Sequence, residues 1–188
     1  MSDDAEVWLV RHGETEWSRS GRHTSTTDLP LLPDGERVAR GLHERLAGPE
    51  FALVLTSPRQ RARRTAELAG YADAEVDDDL VEWTYGDYEG VTTEEIRRTV
   101  PGWTIWSHPA PGGETPEEVR VRVERVIARV RAVDGDSLLF GHAHSLRALA
   151  ARWLGEDVRE GRRYRLDTGT LSMLGFERET PVIERWNA

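Results

Sequence analysis

A chain of 188 residues is long enough for one well-buried domain and near the limit for two small ones. It has no cysteine, which excludes disulfides, thiolate metal sites and a cysteine nucleophile, and its 25 basic residues are all arginine, which excludes Schiff-base and P-loop lysine chemistry. A formal charge of -9 argues against a nucleic-acid binder, and no apolar run approaches the length that crosses a bilayer.

Acidic Met1-Ser2-Asp3-Asp4 leads directly into apolar sequence without a signal-peptide pattern, so the expected location is cytoplasmic. Val7-Trp8-Leu9-Val10 then reads as a strand buried on both faces, and it breaks off into Arg11-His12-Gly13-Glu14-Thr15. In open α/β sheets ligands bind at the carboxyl ends of the strands. A histidine there can take a phosphoryl group while the adjacent arginine holds the phosphate oxygens. Residues 16–30 lack a sustained period and are rich in hydroxyls, as in a loop and broken helix lining a site.

Leu32 to Leu46 has helical apolar spacing, with Pro33 in the first turn, Asp34 at the positive end of the dipole and Gly48-Pro49 as a stop. Phe51 to Thr56 is a second strand, followed by a turn and an arginine-rich helix. Ser57 reads as its N-cap and Pro58 as its first residue. Arg59, Arg63 and Arg64 are read as facing solvent, whereas Arg61 is set apart as functional. The acidic run Asp77-Asp78-Asp79 reads as a solvated connection.

In Val81 to Gly90 acidic, aromatic and glycine residues interleave. Aromatic neighbours exclude water from a carboxylate, which suits a general acid, and Glu82 is the candidate. A surface turn with a stacked tryptophan is the alternative. Thr92 to Arg98 is a short helix. Thr115-Pro116-Glu117-Glu118 opens a longer one, with a capping box, that runs to about Val133. Ser137 to Phe140 is a third strand, ending in Gly141-His142-Ala143-His144-Ser145-Leu146-Arg147 and a helix through Leu154. His142 and His144 have metal-ligand character but lack matching partners at familiar spacing, so neither a metal nor another cofactor is expected. Tyr164 to Phe176 reads as one or two strands and Pro181 to Trp186 as a closing strand. No repeat or linker is visible, so residues 1–188 are expected to form one domain.

Five ordered pieces, Arg11-His12-Gly13-Glu14-Thr15, Ser57-Pro58-x-x-Arg61-Ala62-x-x-Thr65-Ala66, Glu82 with Gly86 and Glu89-Gly90, Gly112-Gly113-Glu114-Thr115, and Gly141-His142, resemble the histidine phosphatase superfamily over nearly the whole chain. The resemblance implies a three-layer α/β/α sandwich with a largely parallel central sheet, the phosphoglycerate-mutase-like fold. It also implies that His12 is the nucleophile forming a phosphohistidine. Arg11, Arg61 and His142 would bind the phosphoryl group, two guanidiniums and an imidazolium supplying the charge. Glu82 would protonate the leaving alcohol and then activate water. The substrate side would be lined by Ser18, Arg22, His23, Thr24, Trp83, Tyr85, Ala143, His144 and Arg147.

The stretches Glu14 to Leu31 and Glu82 to Gly90 look like the branch of small acid phosphatases and sedoheptulose-bisphosphatase-like enzymes. Cofactor-dependent mutases usually carry Asn where Ser18 stands and an Arg-His-Tyr-Gly run where this chain has Trp83-Thr84-Tyr85-Gly86. They also extend into a tail that shields the phosphoenzyme, whereas this chain reaches Ala188 soon after its last strand. The chain departs from the family at Leu32, where a Thr cap is common, and at Ala143, where Gly often follows the histidine. The resulting expectation is a phosphomonoesterase for small metabolites, sugar phosphates among them, with a small-molecule partner and no nucleic acid or membrane partner. The alternatives are a phosphoglycerate mutase and a phosphopeptide- or phosphoprotein-binding module without catalysis. Oligomeric state stays open, a homodimer included, and the tryptophans of 101–108 are open between pocket wall, core and interface.

Overall fold

A computed structural model describes residues 5–188; the acidic Met1–Asp4 segment lies outside the described residues. Its strands are β1 (Val7–Arg11), β2 (Phe51–Thr56), β3 (Glu75–Val76), β4 (Asp136–Gly141), β5 (Leu171–Glu177) and β6 (Thr180–Arg185). They form one sheet in the order β3-β2-β4-β1-β5-β6. β1, β2, β3 and β4 pair in parallel, while β5 and β6 add antiparallel. The sheet is thus mixed but mostly parallel, with helices on both sides.

Both faces of the central strands are buried, as the unbroken apolar runs require. On one face Val7, Leu9, Leu55 and Leu139 pack against α5 (Pro116–Ala132) and α6 (Ala143–Trp153). On the other, Val10, Leu138 and Phe140 pack against α2 (Pro33–Arg45) and α3 (Gln60–Leu68). Truncating one of these side chains to alanine removes about 2–5 kcal/mol. The short helices α1 (Glu16–Ser20) and α4 (Thr93–Arg97) lie in the loops at the carboxyl edge. Thr115 caps α5 with the expected capping box to Glu118.

Some local expectations change. Ser57 is not the cap of α3: that helix starts at Gln60, after Arg59. Asp77 to Asp79 are not merely solvated, because Asp77 is buried against Arg129 and Asp79 pairs with Arg125. Only one strand forms between Tyr164 and Phe176, and β3 is too short to leave a periodic signal. Trp103 and Trp106 are buried, so they serve as core and pocket wall. No helix among the described residues is long and apolar enough to cross a membrane.

Close backbone approach explains Arg11-His12-Gly13. A Cβ on Gly13 would sit 2.5 Å from the Gly35 carbonyl oxygen, and one on Gly35 would sit 2.4 Å from the Glu14 oxygen. The two glycines let the loop after β1 lie on the start of α2, which aims His12 over the sheet edge.

Candidate active site

Four chain segments meet at the carboxyl edge of the parallel strands. His12 follows β1, and its backbone N–H donates to the Gly141 carbonyl at 3.0 Å. Arg61 lies in the first turn of α3, and His142 sits between β4 and α6. Glu82 follows a 3₁₀ turn over Asp78–Leu80. The structure brings all four together with Arg11. His12 is 5% exposed, while Arg61 and His142 are fully buried.

Hydrogen bonds define the tautomers. His12 Nδ1 lies 2.7 Å from the Gly13 carbonyl oxygen, which can only accept, so Nδ1 carries the proton and Nε2 keeps its lone pair. Burial holds His12 well below its usual range, with Arg11 and Arg61 adding to the effect. His12 is therefore a neutral imidazole held in one orientation, with a lone pair on Nε2. Arg61 Nε donates to His142 Nδ1 at 3.2 Å, which places the His142 proton on Nε2, 2.7 Å from Ser57 Oγ. Burial, then Arg61 and His12, keep His142 neutral too. In place of the expected imidazolium stands a neutral imidazole, because burial disfavours the charge and Nδ1 accepts from the cationic Arg61.

Arg61 also donates to the carbonyls of Thr24, Ser25 and Thr27, pinning the loop that roofs the site. The same loop hangs from Glu89, which accepts from Ser25 and Thr27. Arg11 Nη1 donates to the Leu166 carbonyl at 2.6 Å, whereas its buried Nε has no partner and is free for a ligand oxygen. Glu82 accepts three backbone N–H bonds: from Trp83 at 2.9 Å, His144 at 3.1 Å and Ser145 at 2.9 Å. Two of these come from the first turn of α6.

A cavity of about 170 Å³ opens over His12, walled by Arg11, Ser18, Arg22, His23, Thr24, Glu82, Tyr85, Ala143 and His144. Arg61 and His142 lie beneath this wall. Tyr85 hydroxyl and His144 Nδ1 are 2.6 Å apart. Burial keeps that phenol protonated and that imidazole neutral, so the hydroxyl donates. His23, held down to about 4 by burial, stacks 4.6 Å from Tyr85. Two expected wall residues are elsewhere. Trp83 is fully buried, donates its indole N–H to the Glu114 carbonyl and packs edge-on against Trp106. Neighbours in an extended segment point opposite ways, so Glu82 faces the site and Trp83 the core. Arg147 lines a neighbouring cavity instead, bonded to the carbonyls of Gly161 and Arg162. A more voluminous cavity, about 600 Å³, lies by α2, α3 and β3 and contains none of the expected site residues. No group of three or more His, Asp or Glu placed to hold a metal occurs among the described residues.

The sequence profile of the histidine phosphatase superfamily (branch 1) matches residues 7–188. The chain belongs to that superfamily. An acid phosphatase of Mycobacterium tuberculosis is 39% identical over 173 residues, covering 90% of this chain and 85% of that protein. The sedoheptulose 1,7-bisphosphatase of Saccharomyces cerevisiae is 38% identical, covering 81% of this chain and 68% of that protein. A solved Mycobacterium tuberculosis structure at 35% identity superposes with a TM-score of 0.94, covering 97% of both chains. An Escherichia coli structure described as a putative α-ribazole-5'-P phosphatase, at 28% identity, gives 0.84 and covers 98% of this chain and 97% of that one. As a member of this superfamily, the chain is a phosphoric monoester hydrolase acting on small metabolites.

Two residues beyond those expected support the site. Arg122 on α5 is 5% exposed and grips Glu114 through Nε at 2.8 Å and Nη2 at 3.1 Å. Its Nη1 donates to the carbonyls of Asp79 and Val81, and Glu114 accepts from the Thr84 N–H. This pair clamps the segment carrying Glu82 from both ends. The helical period places position 122 on the same face as Val119 and Val126, which is the signal that marks it in the sequence. Arg122→Ala leaves Glu114 unpaired and should cost about 3–5 kcal/mol in urea unfolding; a loss under about 1 kcal/mol would contradict the clamp.

The neutral histidines also set the pH response. His12, His142 and His144 stay neutral well below the ordinary 6.5, and His23 titrates near 4. Below about pH 6.5 the unfolded chain takes up protons that the folded chain refuses, so stability is full above that pH and is lost as pH falls. Unfolding at pH 5.5 should take up more than one proton per molecule, read from the slope of stability against pH; a flat slope would contradict the neutral state of the buried histidines.

Proposed function

We propose that the chain, as one domain over residues 1–188, hydrolyses small phosphomonoesters through a phosphohistidine on His12. The observation that carries this is the fixed Nε2 lone pair of a buried, neutral His12 between arginines. His12 Nε2 attacks phosphorus as the P–O ester bond breaks; the electron pair passes to the leaving oxygen, which takes a proton from Glu82. Water then attacks the phosphohistidine and gives a proton to the Glu82 carboxylate, and the P–N pair returns to Nε2. Arg11 and His142 face the phosphoryl oxygens, the His142 Nε2–H turning to them from Ser57 Oγ, and Arg61 holds the roof loop and the His142 ring while adding positive charge. Phosphoryl transfer is mainly positioning and charge stabilisation, and these groups supply both. Sugar phosphates fit a cavity rimmed by Ser18, Arg22, Thr24 and Tyr85 hydrogen-bonding groups. The names of the acid phosphatase and sedoheptulose 1,7-bisphosphatase relatives support hydrolysis over isomerisation.

The test is inorganic phosphate release from a panel of phosphate esters, with 3-phosphoglycerate also assayed for 2-phosphoglycerate. Release from several esters is expected. Interconversion of the phosphoglycerates with little free phosphate would make the chain a mutase, a name borne by a Salmonella relative at 29% identity. With His12 neutral well below pH 6.5, protonation of the nucleophile should not lower kcat/KM as pH falls from 7 to 5.5; a steep loss over that interval would contradict its neutral state.

A further inference from the structure

The Tyr85–His144 pair lies beside Glu82 and takes no part in the proton transfers above. Tyr85 is 2% exposed, and its hydroxyl donates to His144 Nδ1 at 2.6 Å. His144 Nδ1 is therefore an acceptor, and the ring proton sits on Nε2. The same Nδ1 lies 3.8 Å from Glu82 Oε2. Oε2 accepts from the His144 backbone N–H, whereas Oε1 takes the N–H groups of both Trp83 and Ser145. Oε2 is thus the oxygen with more room for a proton in transit, and the imidazole turns a lone pair toward it rather than a donor.

The other neighbours leave that arrangement to Tyr85. Arg11 on β1, Arg61 on α3 and Arg147 on α6 act on Glu82 through their charge, but among the described residues no arginine is within ion-pair distance of it. The rings of His23 and Trp106 flank His144, with centroids at 6.3 and 5.2 Å, and bring no hydrogen bond to Nδ1. Burial keeps both imidazoles neutral and the phenol protonated. Without the hydroxyl, Nδ1 would be a buried acceptor with no donor. The other tautomer, with its proton on Nδ1, would find an acceptor in Glu82 Oε2 after a small turn of the ring. A donor there favours the ionised carboxylate and competes with the leaving oxygen for it.

We propose that Tyr85 is a positioning residue for the general acid: its hydroxyl holds His144 in the Nε2–H tautomer and so keeps a second donor off Glu82 Oε2. The inference rests on the acid–base role given to Glu82 above. The test compares glycerol 3-phosphate, whose alkoxide needs a proton to leave, with p-nitrophenyl phosphate, whose phenolate does not. Tyr85→Phe keeps the ring and removes the hydroxyl. Its kcat/KM should fall about tenfold or more on glycerol 3-phosphate and stay within about twofold on p-nitrophenyl phosphate. The alkaline fall of the alkyl-ester profile should begin about one pH unit lower. In a His144→Phe background, which has no Nδ1, Tyr85→Phe should cost less than about threefold. A purely structural role would slow both esters alike and would not depend on His144. Equal losses on the two esters, an unmoved alkaline limb, or the same cost with and without His144 overturns the proposal. In the unaltered enzyme, NMR shifts of the His144 ring nitrogens should show a bare Nδ1 and a protonated Nε2; a proton on Nδ1 overturns it without any variant. Glu82→Gln separates the two readings. If that variant turns over glycerol 3-phosphate as fast as the parent, the acid role itself falls. A crippled Glu82→Gln beside an unselective Tyr85→Phe removes only the part given to Tyr85.

Discussion

His12→Ala should lower kcat by about 10⁴-fold or more on every phosphate ester, because no other described group can take its place as nucleophile. His142 is the nearest imidazole, with ring centroids 5.1 Å from His12, yet its Nδ1 is occupied by Arg61 and its Nε2 carries the proton. His144 is engaged by the Tyr85 hydroxyl. The residual rate is then set by charge stabilisation from Arg11 and Arg61 acting on water. The variant should still bind inorganic phosphate, because those arginines remain, and should lose little stability, since it removes a buried imidazole with one hydrogen bond. Turnover within tenfold of the parent would sink the nucleophile assignment.

Glu82→Gln should cost about 10²–10⁴-fold in kcat on alkyl phosphates, the range for a positioned general acid and base. The amide nearly matches the carboxylate in shape, so no cavity forms, and with its oxygen kept toward Trp83 and Ser145 it gives up only the bond from the His144 N–H. The leaving group decides how the loss is distributed. An alkoxide needs the proton that glutamine lacks, whereas p-nitrophenolate leaves without one. With p-nitrophenyl phosphate the variant should therefore release about one equivalent of nitrophenolate quickly and then stall, because water still lacks its base. Equal single-turnover losses for aryl and alkyl esters, or no burst, would contradict the dual role.

The residues at the site were legible because each interrupts a pattern. His12, Arg61 and His142 stand where an apolar strand gives way to charge, and the sheet edge gathers such positions from distant parts of the chain. Glu82 was legible from glycines and aromatics around it, but the direction of Trp83 was not: whether a neighbour in an extended segment faces site or core depends on what packs behind it. Arg147 was placed on the substrate side because it follows His142 closely, yet helix α6 rotates it toward Trp106. Ser57 does not cap α3 because the helix starts later, at Gln60, whose N–H donates to Asp28 Oδ1 from another part of the chain. The role of Glu89 depends on Ser25 and Thr27 in a distant loop, to which local periodicity is blind. The strand order and the two antiparallel edge strands likewise follow from pairing across the sheet, which no single stretch encodes.

The most direct test is to mix the enzyme with a substrate labelled with radioactive phosphorus in the transferred group, quench within milliseconds in alkali, and map the label by proteolysis. Alkali-stable, acid-labile label on the peptide carrying His12 is the predicted result, decaying as inorganic phosphate appears. Turnover with no protein-bound label at any quench time, or label on another residue, would contradict the phosphohistidine account.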